Sequence, residues 1–369
     1  LAAYLSIQEI SPGGLANATA ELADLVSLRA ATKHTPAFTF DIDGVLKQGQ
    51  HVLPQAKQAL KILAGDNPLG KTYPFICVTN GGRPLCFDRV HDYHPLTPRV
   101  CLAGGTLESE RCKKLTNELG VEIKEHQIVQ SHTIFRSFVP LYKDKPVFVV
   151  GGRSDNCRRV AEAYGFKHVY IPADVQAWEP SIWPYGKLSE KARSYVKVRL
   201  GSPVPTSEET ARSLRTALPP QPADFSKISF AAILVFHDSL DAFRDLQLIC
   251  DLVRAQDGVF GTLKDPRDKA AWAPERQIPV HFSNPDLLWG NEFAQARFGQ
   301  GALQESIAAV YKLTTGHELQ RCVLGLFLGD LSLDADLTPR VHARKNDRRQ
   351  AHPRDNDYAA SLLHSAIFS

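Results

Sequence analysis

Methionine is absent from all 369 residues. A chain of this length ordinarily carries several, so Leu1 is not read as an intact natural start, which leaves room for a transit peptide upstream. The visible N-terminus carries Glu9, Glu21 and Asp24 with few arginines and does not itself read as a transit peptide. Long apolar runs are also missing: none approaches the ~18 residues of a membrane span. A basic stripe is missing too, and the net charge is only +3, which argues against nucleic acid as the main partner. The seven cysteines are odd in number, irregularly spaced and form no CxxC. That speaks against a disulfide framework or a zinc site, and a reducing compartment is the simplest reading. What remains is an ordinary globular composition, 43% hydrophobic and 22% charged. A packed core and two domains are expected.

The hydrophobic pattern reads as α/β. Ala37-Phe38-Thr39-Phe40 has the content of a buried strand. Ala56, Ala59, Leu60 and Leu63 then recur at helical spacing, and "YPFICVTNGG" is a second buried strand ending in a glycine turn. Strand, helix, strand at this spacing predicts a βαβ unit and a parallel sheet. A helix is expected over 106–120, with Thr106 as its N-cap and Gly120 as its stop. Strands follow at 145–152, 225–236 and 278–286, with helices over "SDNCRRVAEAYG", "SLDAFRDLQLICDLVRA" and 302–316. Cys157 shares a helical face with Val160, Ala161 and Tyr164 and reads as core. Three stretches lack pattern: 83–105, the proline-rich 198–224, and a charged tail from Leu326 that reads as disordered.

The chemistry concentrates in "TFDIDGVLKQG" (39–49). In extended backbone, residues i and i+2 point the same way, so Asp41 and Asp43 face one another's charge. Two carboxylates that close need a shared proton or a cation, and Mg²⁺ is the natural hard cation for oxygen ligands. Gly44 lets the chain turn just beyond them. The pairing suits phosphoryl transfer, one carboxylate attacking phosphorus and the other serving as acid and base. "TNGG" at 79–82 supplies a hydroxyl and turn N–H groups for a phosphate. Among weaker features, His132 after a strand-like stretch reads as structural, and Trp178, Trp183 and Tyr185 could pack a loop or line a pocket.

"FDIDGVL" and "VTNGG" resemble the first two motifs of the haloacid dehalogenase superfamily. "SHT" at 131, "VVGG" at 149, "AWEPSIWPY" at 177, "HFSNPDLLWGN" at 281 and "RFGQGALQESIAAVYKLTTGHELQ" at 297 resemble its class IIA branch. Within that branch they look like the cat eye syndrome critical region protein type, especially its fungal members. The resemblance covers roughly 36–325. It implies a Rossmann-like parallel-sheet core with an inserted α/β cap domain. The boundaries expected are an extension at 1–35, core at 36–144 (83–105 an irregular insert), cap at 145–296, core again at 297–325, and a divergent tail at 326–369. It also implies Asp41 as nucleophile, Asp43 as general acid/base, and Thr79, Asn80 and Gly81 as holders of the phosphoryl group. Mg²⁺ would sit on Asp41 and the backbone carbonyl of Asp43. "SNPD" would lie on the cap side, facing a small phosphorylated metabolite. The resemblance further implies a possible homo-oligomer and a mitochondrial location, with the cytoplasm as the alternative. Some relatives carry glycerophospholipid-related names.

The chain departs from the family in two places. The lysine expected after Gly325 is replaced by Leu326 and Phe327. The later acidic motif of the metal site falls where only the charged tail lies, so the last part of the core reads as lost. Asp330 and Asp334 are formally a displaced substitute, but they come too early, and the stretch reads rather as a solvated loop. Removing 83–105 would join "TNGG" directly to "TLESERC", which reads as translated intron or mis-joined sequence. Two functions therefore stand side by side: an aspartyl-phosphate phosphatase, or a catalytically impaired protein of the same fold that binds a phosphorylated ligand or a partner.

Overall fold

The computed structural model describes residues 37–43, 45–48, 51–79, 105–197, 223–289 and 295–324. The extension 1–35, nearly all of 83–105, most of the proline-rich loop and the tail 326–369 lie outside these residues. The chain divides into two units. One comprises Leu1–Ser137, Ser283–Arg297 and Val323–Ser369, the other Phe138–Phe282 and Phe298–Cys322.

The first unit contains β1 (Phe38–Asp41), α1 (Pro54–Leu63), β2 (Phe75–Thr79), α2 (Glu108–Leu119) and β3 (Ile128–Gln130). The sheet order is β1-β2-β3, parallel throughout. Asp41 pairs with Val78 and Thr79 with Gln130, so all three strands end at one edge. α1 starts on a proline, whose missing N–H costs nothing in a first turn, and buries Ala56, Leu60 and Leu63. α2 buries Leu115 and Leu119 and stops at Gly120, whose φ of 72° suits a residue without Cβ. These faces join Phe38, Ile42, Phe75 and Cys77 in one core, each large apolar side chain contributing roughly 1.5–3 kcal/mol. The expected cap is corrected here. Leu107 is the N-cap and gives no side-chain cap, while Thr106 uses its carbonyl to accept Gln130 Nε2 at 2.8 Å.

The second unit contains β4 (Pro146–Val150), α3 (Asn156–Tyr164), β5 (His168–Tyr170), α4 (Pro172–Trp178), β6 (Ala232–Val235), α5 (Ala242–Arg254), β7 (Val280–Phe282), α6 (Gln300–Thr315) and all but the last residue of β8 (Arg321–Val323). Its sheet runs β8-β7-β6-β4-β5, with the β5/β4, β4/β6 and β6/β7 pairs parallel. β6 is buried along its whole length, as strands covered on both faces must be. Cys157 is core, 2% exposed beside Val160 and Ala161. The strand expected over 225–236 is much shorter. Asp224 accepts Ser226 N and turns Phe225–Lys227 into 3₁₀ helix, so only Ala232–Val235 pairs.

Ser283–Arg297 groups with the first unit, and Phe298–Cys322 with the second. α6 places Leu303, Ile307 and Tyr311 in the same core as Phe148, Ile233, Leu248 and Val280. An apolar helix face announces that it will be buried, and not which sheet will bury it.

Candidate functional site

Asp41 closes β1, and Ile42 turns inward to full burial while its N–H donates to Val78 O at 3.1 Å. That alternation leaves Asp41 and Asp43, both part-exposed, on the other side of the chain. The turn is closed by Leu46 and Lys47, whose N–H groups both donate to Ile42 O. Lys47 is itself buried and ion-paired to Glu118 of α2, so its charge is already committed. Thr79, 2% exposed at the end of β2, donates its hydroxyl to Asp43 Oδ2 at 3.1 Å. The structure thus brings together Asp41, Asp43 and Thr79. Asn80 and Gly81 lie outside the described residues, as do Gly44, Asp330 and Asp334.

The electrostatics of this edge are unfavourable to negative charge. Burial first, then the carboxylate of Asp43, pushes the Asp41 carboxyl up to about 6, against backbone N–H groups of Ile42 and Asp43 that pull the other way. Asp286 raises it further. This last residue belongs to "SNPD", which the sequence reading placed on the cap side. The segment Ser283–Arg297 instead groups with Asp41, and Asn284 Oδ1 accepts Asp286 N at 2.8 Å across the intervening proline. Spacing could not have revealed this, because the two acids are far apart in sequence.

A second polar group, largely missed in the sequence, surrounds the end of β3. Thr133 Oγ1 accepts Gln130 N at 3.0 Å and donates to Glu108 Oε1 at 2.7 Å. Arg136 binds Glu108 Oε2 at 3.0 Å. His132 is 2% exposed, its Nε2 3.4 Å from Gln130 Nε2. The "SHT" triplet therefore fastens the first turn of α2 to the sheet edge. Of the aromatic cluster, Trp178 packs on Phe225 at 5.8 Å between centroids, while Tyr185 is 84% exposed and meets Trp183 at 5.0 Å.

Among the described residues no group of three or more His, Cys, Asp and Glu is placed to hold a metal ion. Asp41 and Asp43 are two carboxylates. Mg²⁺ asks for little more, since it keeps several of its own waters and binds through one or two carboxylates. Burial first, then the charge of Asp43, disfavours the Asp41 carboxylate, and a bound cation would offset both, so the residues present fit such an ion.

Residues 38–94 and 103–167 match the family described as haloacid dehalogenase-like hydrolase. The chain is 31% identical over 289 residues to a mitochondrial hydrolase of Saccharomyces cerevisiae, covering 78% of this chain and 66% of that one. It is 30% identical over 290 residues to a cardiolipin synthase (CMP-forming) / mitochondrial hydrolase fusion protein of Schizosaccharomyces pombe, covering 78% of this chain and 38% of the fusion. The chain thus spans less than two thirds of the length of either relative. Among solved structures, a p-nitrophenyl phosphatase from Archaeoglobus fulgidus is 15% identical with a TM-score of 0.37, covering 79% of this chain and 69% of its own.

Proposed function

Because this chain belongs to the haloacid dehalogenase-like hydrolases, in their class IIA branch, we propose that it is a Mg²⁺-dependent phosphatase acting on a small organophosphate. The observation that carries the reading is the linkage of Asp41, Asp43 and Thr79 at one sheet edge.

An Asp41 oxygen attacks phosphorus and forms an aspartyl-phosphate, and the bond to the leaving oxygen breaks. Asp43 gives that oxygen its proton. Asp43 then takes a proton from water, which attacks the same phosphorus, releases phosphate and restores the Asp41 carboxylate. Asp41 must be ionised to attack, and a value of about 6 leaves it mostly charged at neutral pH. The Thr79 hydroxyl, already on Asp43, orients that carboxylate and lies within reach of a phosphoryl oxygen. Asn80 and Gly81 would offer backbone N–H groups to the same phosphoryl group. Mg²⁺ would be held by Asp41 and the backbone carbonyl of Asp43, and when bound supplies charge neutralisation at the phosphoryl group.

The second unit would act as the cap that selects the leaving group. Two yeast relatives carry "mitochondrial hydrolase" in their names, which supports a mitochondrial location for this chain. A homo-oligomer and a role in glycerophospholipid metabolism belong to the same proposal. The second reading, a phosphate-binding protein that has lost turnover, is favoured by one observation: Leu326 and Phe327 follow Gly325 where the resemblance expects a lysine.

Hydrolysis of p-nitrophenyl phosphate with Mg²⁺, compared with Asp41→Asn and with EDTA, separates the two. Activity lost in both controls is expected. A folded protein without activity would refute the phosphatase and leave the binding protein.

A further inference from the structure

Arg111 is used by nothing described so far. It is 7% exposed, and its Nε is fully enclosed with no hydrogen-bond partner. Among the described residues its guanidinium makes neither a hydrogen bond nor an ion pair. The other buried or part-buried cations named above are committed: Lys47 to Glu118, Arg136 to Glu108. A buried, unpaired cation is costly, and native structures rarely keep one without a partner. The missing partner is therefore expected to be an anion that comes and goes.

Its place says which anion. β2 and β3 are parallel with α2 between them, so the first turn of α2 lies at the edge where the strands end. Glu108, Arg111, Leu115 and Leu119 form the inner face of α2. Of these, Leu115 and Leu119 pack in one core with Cys77 of β2. The charge of Arg111 is felt at Cys77, and Cys77 lies two residues before Thr79, on the same face of the strand. Helical side chains lean back toward the N-terminus, which aims Arg111 at the first turn and the Thr79 end of β2. That first turn has no side-chain cap, so its N–H groups can donate to an anion, although Glu108 and Glu110 already place negative charge on the same turn. Glu108 does not compete for Arg111, being held by Thr133 and Arg136.

We propose that Arg111 and the uncapped N-terminus of α2 form an oxyanion site that holds the phosphate of the substrate beside Thr79. This rests on the reading of the substrate as a phosphate ester. It makes Arg111 a substrate-binding residue, supplying positive charge where the chain has no lysine after Gly325. The guanidinium fork suits a phosphate better than an ammonium would.

The test is thermal unfolding of the full chain with and without inorganic phosphate, for wild type, Arg111→Met and Arg111→Lys. Met removes an unpaired buried charge and keeps the volume. Arg111→Met should melt at or above wild type without phosphate, and its affinity for phosphate should fall at least tenfold; Arg111→Lys should keep part of the response. A phosphate response equal to wild type in Arg111→Met overturns the proposal. So does an Arg111→Met chain that fails to fold or melts well below wild type, since that is the behaviour of a structural arginine. No phosphate response in wild type overturns it as well. Turnover of p-nitrophenyl phosphate by the same preparations is scored separately. Turnover without an Arg111-dependent response sinks this site and spares the reaction, and an Arg111-dependent response without turnover does the reverse.

Discussion

Replacing Asp41 by Asn should stabilise the metal-free protein while removing its activity. Burial and the charges of Asp43 and Asp286 hold the folded Asp41 carboxyl at about 6, above its ordinary 3.8. Between those two values the folded state keeps a proton that the unfolded chain has lost. Stability is therefore full below the ordinary value and is lost as pH rises through about 6. The gap is about two pKa units at roughly 1.4 kcal/mol each, so ionised Asp41 costs the fold up to ~3 kcal/mol at neutral pH. Asn is nearly isosteric, keeps one acceptor oxygen for the backbone N–H groups and carries no charge. A gain of about 2 kcal/mol is expected after allowing for partial solvent access, or roughly 4–8 °C in melting temperature for a unit of this size. The assay is calorimetry in EDTA at about pH 7.5 and about pH 4.5. The stabilisation should be present at the higher pH and fall to about a third of that at the lower one. If Asp41→Asn melts at or below wild type at the higher pH, the penalty on the Asp41 charge inferred from its burial and from Asp43 does not exist.

Other consequences are equally open to measurement. Thr79→Val removes the hydroxyl on Asp43 and should lower kcat/KM for p-nitrophenyl phosphate by about 10–100-fold with little change in folding. Gly151→Ala should destabilise the second unit by about 3 kcal/mol or more by chemical denaturation. Gly151 has a φ of 100°, and an added Cβ would lie 2.0 Å from the carbonyl oxygen of His237; an unchanged midpoint would contradict that packing. Glu108→Gln removes the buried charge that Arg136 meets at 3.0 Å, leaving that of Glu125 at 3.7 Å, and should cost about 1–3 kcal/mol, read from the urea midpoint. Burial pushes the thiols of Cys77 and Cys250 up to about 12 and raises that of Cys157 as well. In the native protein a disulfide reagent should therefore reach Cys112 and Cys322 well before these three, as peptide mapping would show.

Several elements were legible because a local physical reason sufficed. The run Phe38–Asp41 is apolar and aromatic and became β1; the 3.6 spacing of Ala56, Leu60 and Leu63 became α1; Gly120 stopped α2 where a left-handed residue was needed. Where the expectation failed, a side-chain contact that the hydrophobic pattern does not register had decided. Thr106 was a sound cap by type, but α2 begins one residue later, at Glu108, with Leu107 at the N-cap and no side-chain cap, and Thr106 accepts Gln130 Nε2 on its carbonyl instead. The stretch before Ala232 had strand composition, but the Asp224 side chain found Ser226 N and made a turn first.

The candidate site divides along the same line. Local sequence was enough to place Asp41 and Asp43 on one side of a strand end, because period two is built into extended backbone. It was also enough to put Thr79 at the end of the neighbouring strand, because strand, helix, strand at that spacing makes a parallel pair. Local sequence had no means of bringing Asp286 to Asp41, of assigning α6 to the second unit, or of leaving Arg111 Nε buried with no partner among the described residues. Those outcomes depend on which surfaces meet once each element has formed. A residue's neighbours along the chain set its conformation, whereas its neighbours through space set its charge environment and its burial.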